Sequence, residues 1–188
     1  MIFLTNENIT DILADIIVNS ANPSLGGIGP DLPDGVGGVD GAIHRAAGIQ
    51  LYQACMNITP IPSDKPYVVR CPEGEYRITA GFNLKSRLVM HAVAPMNNDL
   101  DASDMEDVLL KLDKLYKNIF NYYALSSARS LVMPPLGTRS FGLPINESAK
   151  IAIDNAQICI KKSPQKDIIF TVIRDDERNI YKKLLNFS

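Results

Sequence analysis

Tryptophan is absent from this chain of 188 residues, and aromatic residues together make up only 7% of it. Proteins that hold single-stranded nucleic acid without sequence preference rely on aromatic side chains on which bases stack, and few are available here. Charge of one sign is missing too. Nineteen Lys and Arg face 21 Asp and Glu, for a net charge of −2 and a pI of about 5.7. Binding of nucleic acid through bulk positive charge is therefore unsupported, and no nucleic acid partner is expected. Cysteine is scarce: Cys55, Cys71 and Cys159 are odd in number and widely spaced, with no CxxC among them. That pattern argues against a disulfide framework or a zinc module and fits a reducing compartment. No apolar run approaches the roughly 20 residues a membrane-spanning helix requires, and Met1–Glu7 turns polar too soon for a secretory leader. A cytoplasmic protein with no membrane association is expected, as a monomer without a metal or other cofactor.

What is present is an alternation of strand and helix signals over a length that suits one domain, residues 1–188. The β-branched run Asp15–Ser20 ends in turn residues, as a buried strand does. Leu88–Ala94 is nearly continuous in apolar residues, which fits a central strand covered on both faces. Ile2–Thr5, Tyr76–Ala80, Ser130–Pro134 and Ile168–Ile173 read as further strands. One helix is expected from about Asp40 to Met56. A second is marked by Met105, Val108, Leu112, Leu115, Ile119 and Tyr123 at helical spacing. A third opens at Pro144, and a fourth is capped by Asp175 or Asp176. Strands joined by helical crossovers imply a three-layer α/β/α sandwich around a mixed, mostly parallel sheet. Ligands of such sheets sit beyond the carboxyl ends of the strands.

Three segments there have the residue types for binding. Asn19 and Asn22 place two carboxamides at the end of a buried strand; alone, such a pair is more often a strand-terminating turn than a ligand site. Gly35–Gly41 runs into the helix that carries His44 and Arg45. It reads equally as a flexible connection capped by Asp40 or as a phosphate-binding helix N-terminus. Leu136–Pro144 is a second glycine loop, also joining a strand end to a helix start, and its N–H groups with the Thr138 and Ser140 hydroxyls suit a diphosphate. The histidines His44 and His91 have no zinc-like set of partners in sequence, and GxSxG is missing.

Taken in order, these segments resemble the macrodomain family. Ala14–Asn22 is similar to its strand and Asn-Ala-Ala-Asn element. Gly37–Gly48 is similar to its catalytic-loop signature, Leu88–Pro95 to its strand ending in His-x-Val-x-Pro, and Gly137–Pro144 occupies the diphosphate-loop position. Asp40 is shared with the members that resemble MacroD-type hydrolases. The resemblance implies an ADP-ribose-binding, metal-independent hydrolase. Its substrates would be proteins mono-ADP-ribosylated on acidic side chains and, further, O-acetyl-ADP-ribose. A non-catalytic ADP-ribose reader and an ADP-ribose-1″-phosphate phosphatase are the alternatives. It also implies catalytic roles for Asn22 and Asp40. Ligand contacts would come from Asn8, Ile9, Asn19, Ala21, Gly37, Gly38 and Val39, from Leu136, Gly137, Thr138, Arg139, Ser140, Phe141 and Gly142, and from Arg174. Asn8 stands where the family carries an adenine-binding Asp, Arg139-Ser140 replaces Gly-Ile, and Arg174 is assigned the position of an aromatic residue that lies against adenine.

Overall fold

The computed structural model describes residues 1–27, 37–96 and 102–186. Six strands form one sheet: β1 (Ile2–Thr5), β2 (Ile16–Ser20), β3 (Glu75–Ala80), β4 (Leu88–Val93), β5 (Ser130–Met133) and β6 (Asp167–Thr171). Their order is β1-β6-β5-β2-β4-β3, with every neighbour parallel except β3, which runs antiparallel to β4. β2 and β4 are indeed central and buried. The sequence places a long loop rich in Gly, Pro and Asp between Asn22 and Gly38, of which residues 28–36 lie outside the described residues.

Side chains alternate across each strand, so consecutive residues feed different layers. Ile16 and Val18 of β2, Met90 and Ala92 of β4, and Ile168 and Phe170 of β6 face one way. They pack on Leu112, Tyr116, Ile119 and Tyr123 of α3 (Ala102–Leu125), on Ala149, Ala152 and Ile153 of α4 (Ile145–Lys162), and on Tyr181 of α5 (Asp175–Leu185). Ile17, Val89, Val93 and Val132 face the other way, onto Ile43 and Ala47 of α1 (Gly38–Ala47) and Leu51 and Cys55 of α2 (Ile49–Met56). Among the described residues no helix is long and apolar enough to cross a membrane.

Two local expectations are corrected. The helix predicted from Asp40 to Met56 is two helices, because Gly48 adopts φ 83° and ψ 176° between them. Its N–H still closes α1 on the His44 carbonyl at 3.1 Å. The first residue before α5 is Arg174, and neither Asp175 nor Asp176 stands at its cap; the Asp176 carboxylate accepts from the Glu177 N–H at 2.9 Å inside the first turn.

The break at Gly48 carries a stability prediction. A methyl group there would lie 2.9 Å from both Asn83 Nδ2 and Gln50 Oε1, at a positive φ that L side chains rarely adopt. Gly48→Ala is expected to cost about 1–3 kcal/mol, read as a lower denaturant midpoint with an unchanged slope.

Candidate functional site

Five parallel strands end on one side of the sheet, and the segments that leave four of them, with the start of α1, enclose a cleft of about 780 Å³. Asn6, Asn8 and Ile9 follow β1, and Ala21 and Asn22 follow β2. Pro134, Pro135 and the Gly137–Phe141 stretch follow β5, and Ile173 follows β6. The N-terminus of α1 adds Gly37, Gly38, Val39, Asp40 and Ala42. Helix α1 has Gly37 as its cap with no side chain bonded to its first N–H groups, an arrangement that favours an anion.

Asp40 stands in the first turn of α1 with its side chain 17% exposed. Its Oδ1 accepts from Asn19 Nδ2 at 2.5 Å and lies 3.5 Å from His44 Nε2, one turn along the same helix. Burial pushes the Asp40 carboxyl up, against the opposing effects of the Asn19 hydrogen bond and His44. Burial pushes the His44 imidazole down, against the pull of Asp40. The segment after β2 packs over that ring. Gly27, at φ 51°, crosses so closely that a Cβ there would come 2.3 Å from His44 Nε2. Asn22 accepts from the Ser24 hydroxyl at 2.7 Å, which leaves its amide N–H groups as what it offers the cleft.

The second loop is anchored from below. The buried Leu136 donates its N–H to the Tyr116 hydroxyl at 3.1 Å, and the Gly142 N–H closes a turn on the Arg139 carbonyl at 2.9 Å. Thr138 directs its hydroxyl to Glu177 at 2.6 Å, a carboxylate only 1% exposed. The Thr138 hydroxyl is thus turned toward α5, whereas its backbone, with Arg139, Ser140 and Phe141, lines the cleft. Asn8 caps the 3-10 turn Ile9–Asp11 through its side-chain oxygen, which accepts from Thr10 N at 3.2 Å.

Four of the residues singled out in the sequence do not line the cleft. Asn19 and Leu136 are fully buried beneath it, and Gly142 lies beyond the loop's rim. Arg174 is not among the lining residues and grips Asp176 with Nε at 3.1 Å and Nη2 at 2.7 Å. β6 ends at Thr171, so the residue that reaches the cleft is Ile173, one position before the arginine. Sequence reasoning passed over Asn6, Ser20, Pro134, Pro135, Thr171 and Ile173. Each sits at or just past the carboxyl end of a parallel strand, and that position was the available signal.

Three elements also bring His44, Cys55 and His91 together, their ligand atoms all within 4.8 Å of one another. The group is poorly suited to a cation. Both His91 nitrogens already have partners, Asn19 Nδ2 at 3.2 Å and Thr79 Oγ1 at 2.9 Å. Burial pushes the Cys55 thiol up to about 12, so it is not the thiolate that a metal requires.

The sheet order, the cleft and the glycine-flanked Asp40 define a class: the chain belongs to the macrodomain family, whose model, Macro domain, matches residues 18–152. The chain is 33% identical over 180 residues to the O-acetyl-ADP-ribose deacetylase of Enterobacter cloacae, covering 95% of this chain and 89% of that protein. In structure it is similar to the Oceanobacillus iheyensis macrodomain with ADP, at a TM-score of 0.80 and 29% identity over 98% of this chain and 89% of that one. It is likewise similar to the Trypanosoma brucei macrodomain in complex with ADP-ribose, at 0.76 and 27% over 98% and 68% of the two chains.

The buried carboxyl has a thermodynamic signature. A folded-state value above the unfolded one means the native state holds the proton longer. Stability then falls as pH rises from the ordinary 3.8 through the raised folded value. Asp40→Asn is expected to raise the melting midpoint by a few degrees at pH 7 and to lose that gain below pH ~4. A gain that persists undiminished in acid would rule out the burial of charge as its source.

Proposed function

We propose that this chain is a hydrolase of ADP-ribose esters, acting on O-acetyl-ADP-ribose and on mono-ADP-ribose joined to acidic side chains of proteins. The observation that carries this reading is Asp40: a carboxylate held largely out of water, in the wall of a cleft whose other parts suit a nucleoside diphosphate. The deacetylase relative and the ADP-ribose-bound neighbour support it.

The cleft divides by chemistry. The N–H groups of the Gly137–Phe141 stretch and the α1 N-terminus meet the diphosphate. Asn8, Ile9 and Ile173 stand together for the adenine, and Asn22 donates to hydroxyls of the distal ribose. Phe141, half-buried where the two cores meet, closes over the ribose and excludes water. Asp40 then orients a water molecule against the electrophilic carbon. In release from an acidic side chain, the water oxygen bonds to the anomeric carbon and the carbon–oxygen bond of the ester breaks. The carboxylate departs without needing a proton, and the proton of the water passes to Asp40 and on to solvent. A carboxyl raised above its ordinary value is a better base for that step than an exposed one.

Asp40→Ala is expected to lower release of acetate from O-acetyl-ADP-ribose, and of ADP-ribose from a glutamyl ester, by at least tenfold. Calorimetry should still find ADP-ribose bound. The assay is run with excess chelator. Retention of modified protein by the parent without any release would make the chain a reader instead of an enzyme.

The adenine end carries a second prediction. Ile173→Ala should weaken ADP-ribose binding several-fold, through lost apolar contact worth about 1 kcal/mol or more. Arg174→Ala should leave affinity within about twofold, because its ion pair with Asp176 is exposed and it is not among the residues that line the cleft. The reverse ranking would return the adenine contact to Arg174.

A further inference from the structure

We infer that Asn19 and His91 are positioning residues for Asp40, forming with Thr79 a hydrogen-bonded chain that runs across one face of the sheet from its edge strand β3 to the carboxylate in the cleft; this rests on the hydrolase reading above. Asn19 and His91 are register partners on the paired strands β2 and β4, and both are fully buried on the face that α1 and α2 cover. Asn19 Nδ2 is 2.5 Å from Asp40 Oδ1 and 3.2 Å from His91 Nδ1. His91 Nε2 is 2.9 Å from Thr79 Oγ1, on β3.

The direction of the bonds follows from the inner end, where the Asn19 NH2 donates to the Asp40 carboxylate. The Thr79 hydroxyl donates to the Ala80 carbonyl at 3.3 Å, so its oxygen is free to accept. The Asn19 NH2 also faces His91 Nδ1, which therefore presents a lone pair and leaves the ring proton on Nε2, with Thr79 Oγ1 at 2.9 Å and Cys55 Sγ at 3.6 Å as its neighbours. Only the NH2 edge of Asn19 satisfies that lone pair, and the same NH2 supplies the second N–H to Asp40. The opposite amide orientation would aim oxygen at both a bare nitrogen and a carboxylate. The Asn19 oxygen is left without a hydrogen-bond partner, which is the cost of holding the amide this way round. A buried acceptor left unpaired is not explained by packing. It is explained if the donor edge is what the site needs.

The chain keeps one polarity over the working pH range. Burial, aided by His44, holds His91 down to about 3, so its Nδ1 stays an acceptor. The ionisable groups that face this chain are His44 on α1, whose ring centroid is 6.3 Å from that of His91, and the protonated Cys55 on α2. Arg70 acts on Cys55 from the segment before β3. None of these supplies Asp40 with a donor as close as Asn19.

The test compares the parent with His91→Phe and His91→Asn. Phenylalanine fills the ring's volume but cannot accept. Asparagine can place an oxygen where Nδ1 stood. Three readouts are taken: kcat/KM against pH for acetate release, ADP-ribose affinity, and the NMR titration of the 13C-labelled Asp40 carboxyl. His91→Phe should lower kcat at least tenfold with affinity within about twofold, and should move the acid limb and the Asp40 titration up by about one pH unit. His91→Asn should restore most of both. If His91→Phe does not fold, Thr79→Val serves, since it frees the imidazole to move its proton to Nδ1, and the same upward shift is expected. A folded His91→Phe or Thr79→Val protein with an unmoved Asp40 titration overturns the proposal. A parent that binds ADP-ribose but releases neither acetate nor protein-linked ADP-ribose would defeat the hydrolase reading alone. The Asp40 titration would still decide the positioning role.

Discussion

The contact between Asn19 and Asp40 joins the two parts of the structure that matter most, the central strand of the sheet and the first turn of the helix that borders the cleft. A carboxylate withdrawn from water is tolerated only where donors compensate its lost hydration. Here the donor is the last buried residue of β2, and it can reach Asp40 only because α1 begins directly over the strand's carboxyl end. The glycines ahead of Asp40 and the close crossing of Gly27 over His44 serve the same arrangement. Both let backbone come near enough to wall off the carboxylate while leaving one side open to a ligand. The energy that burial withholds from stability is available to the chemistry, the usual exchange at a functional site.

The second glycine loop is held by a different logic. Its binding groups are backbone N–H donors, which need no side chain but do need a fixed curvature. Leu136 on Tyr116 and Thr138 on Glu177 supply two anchors beneath it, from α3 and α5. Glu177 is a buried acid that no loop pattern advertises, and it links the diphosphate side of the cleft to the final helix.

Much of the architecture was readable from periodicity. The β-branched run of β2 with turn residues after it marks a buried strand, the nearly continuous apolar run of β4 marks one covered on both faces, and the spacing of Leu112, Leu115 and Ile119 can only be a helix. The two glycine loops were readable as a pair because each follows a strand and precedes a helix. What periodicity does not encode is the exact residue at which an element stops. Gly48 sits inside a helical pattern without disturbing it, yet its backbone breaks the helix. The two-residue difference at the end of β6 moved the cleft-lining role from Ile173 to Arg174 in the sequence reading. The partnership of Asn19, Asp40, His44 and His91 was hidden for another reason. Its members come from β2, α1 and β4, and only strand register and helix placement bring them together.

The place of β6 between β1 and β5 has a consequence for synthesis. β1 precedes the other strands in the chain, but its partner in the sheet among the described residues is β6, the last of them. Thr171 also donates its hydroxyl to the Glu7 carbonyl at 2.7 Å, tying down the segment that carries Asn6 and Asn8. As the chain emerges, β2, β4 and β5 can assemble with α1, α2 and α3 around the Asp40 end of the cleft, while the first strand waits. The adenine end is completed only when the last strand slides into the gap, a non-local closure of the slow kind. A nascent chain would thus acquire the part of the site that does chemistry before the part that holds the nucleoside.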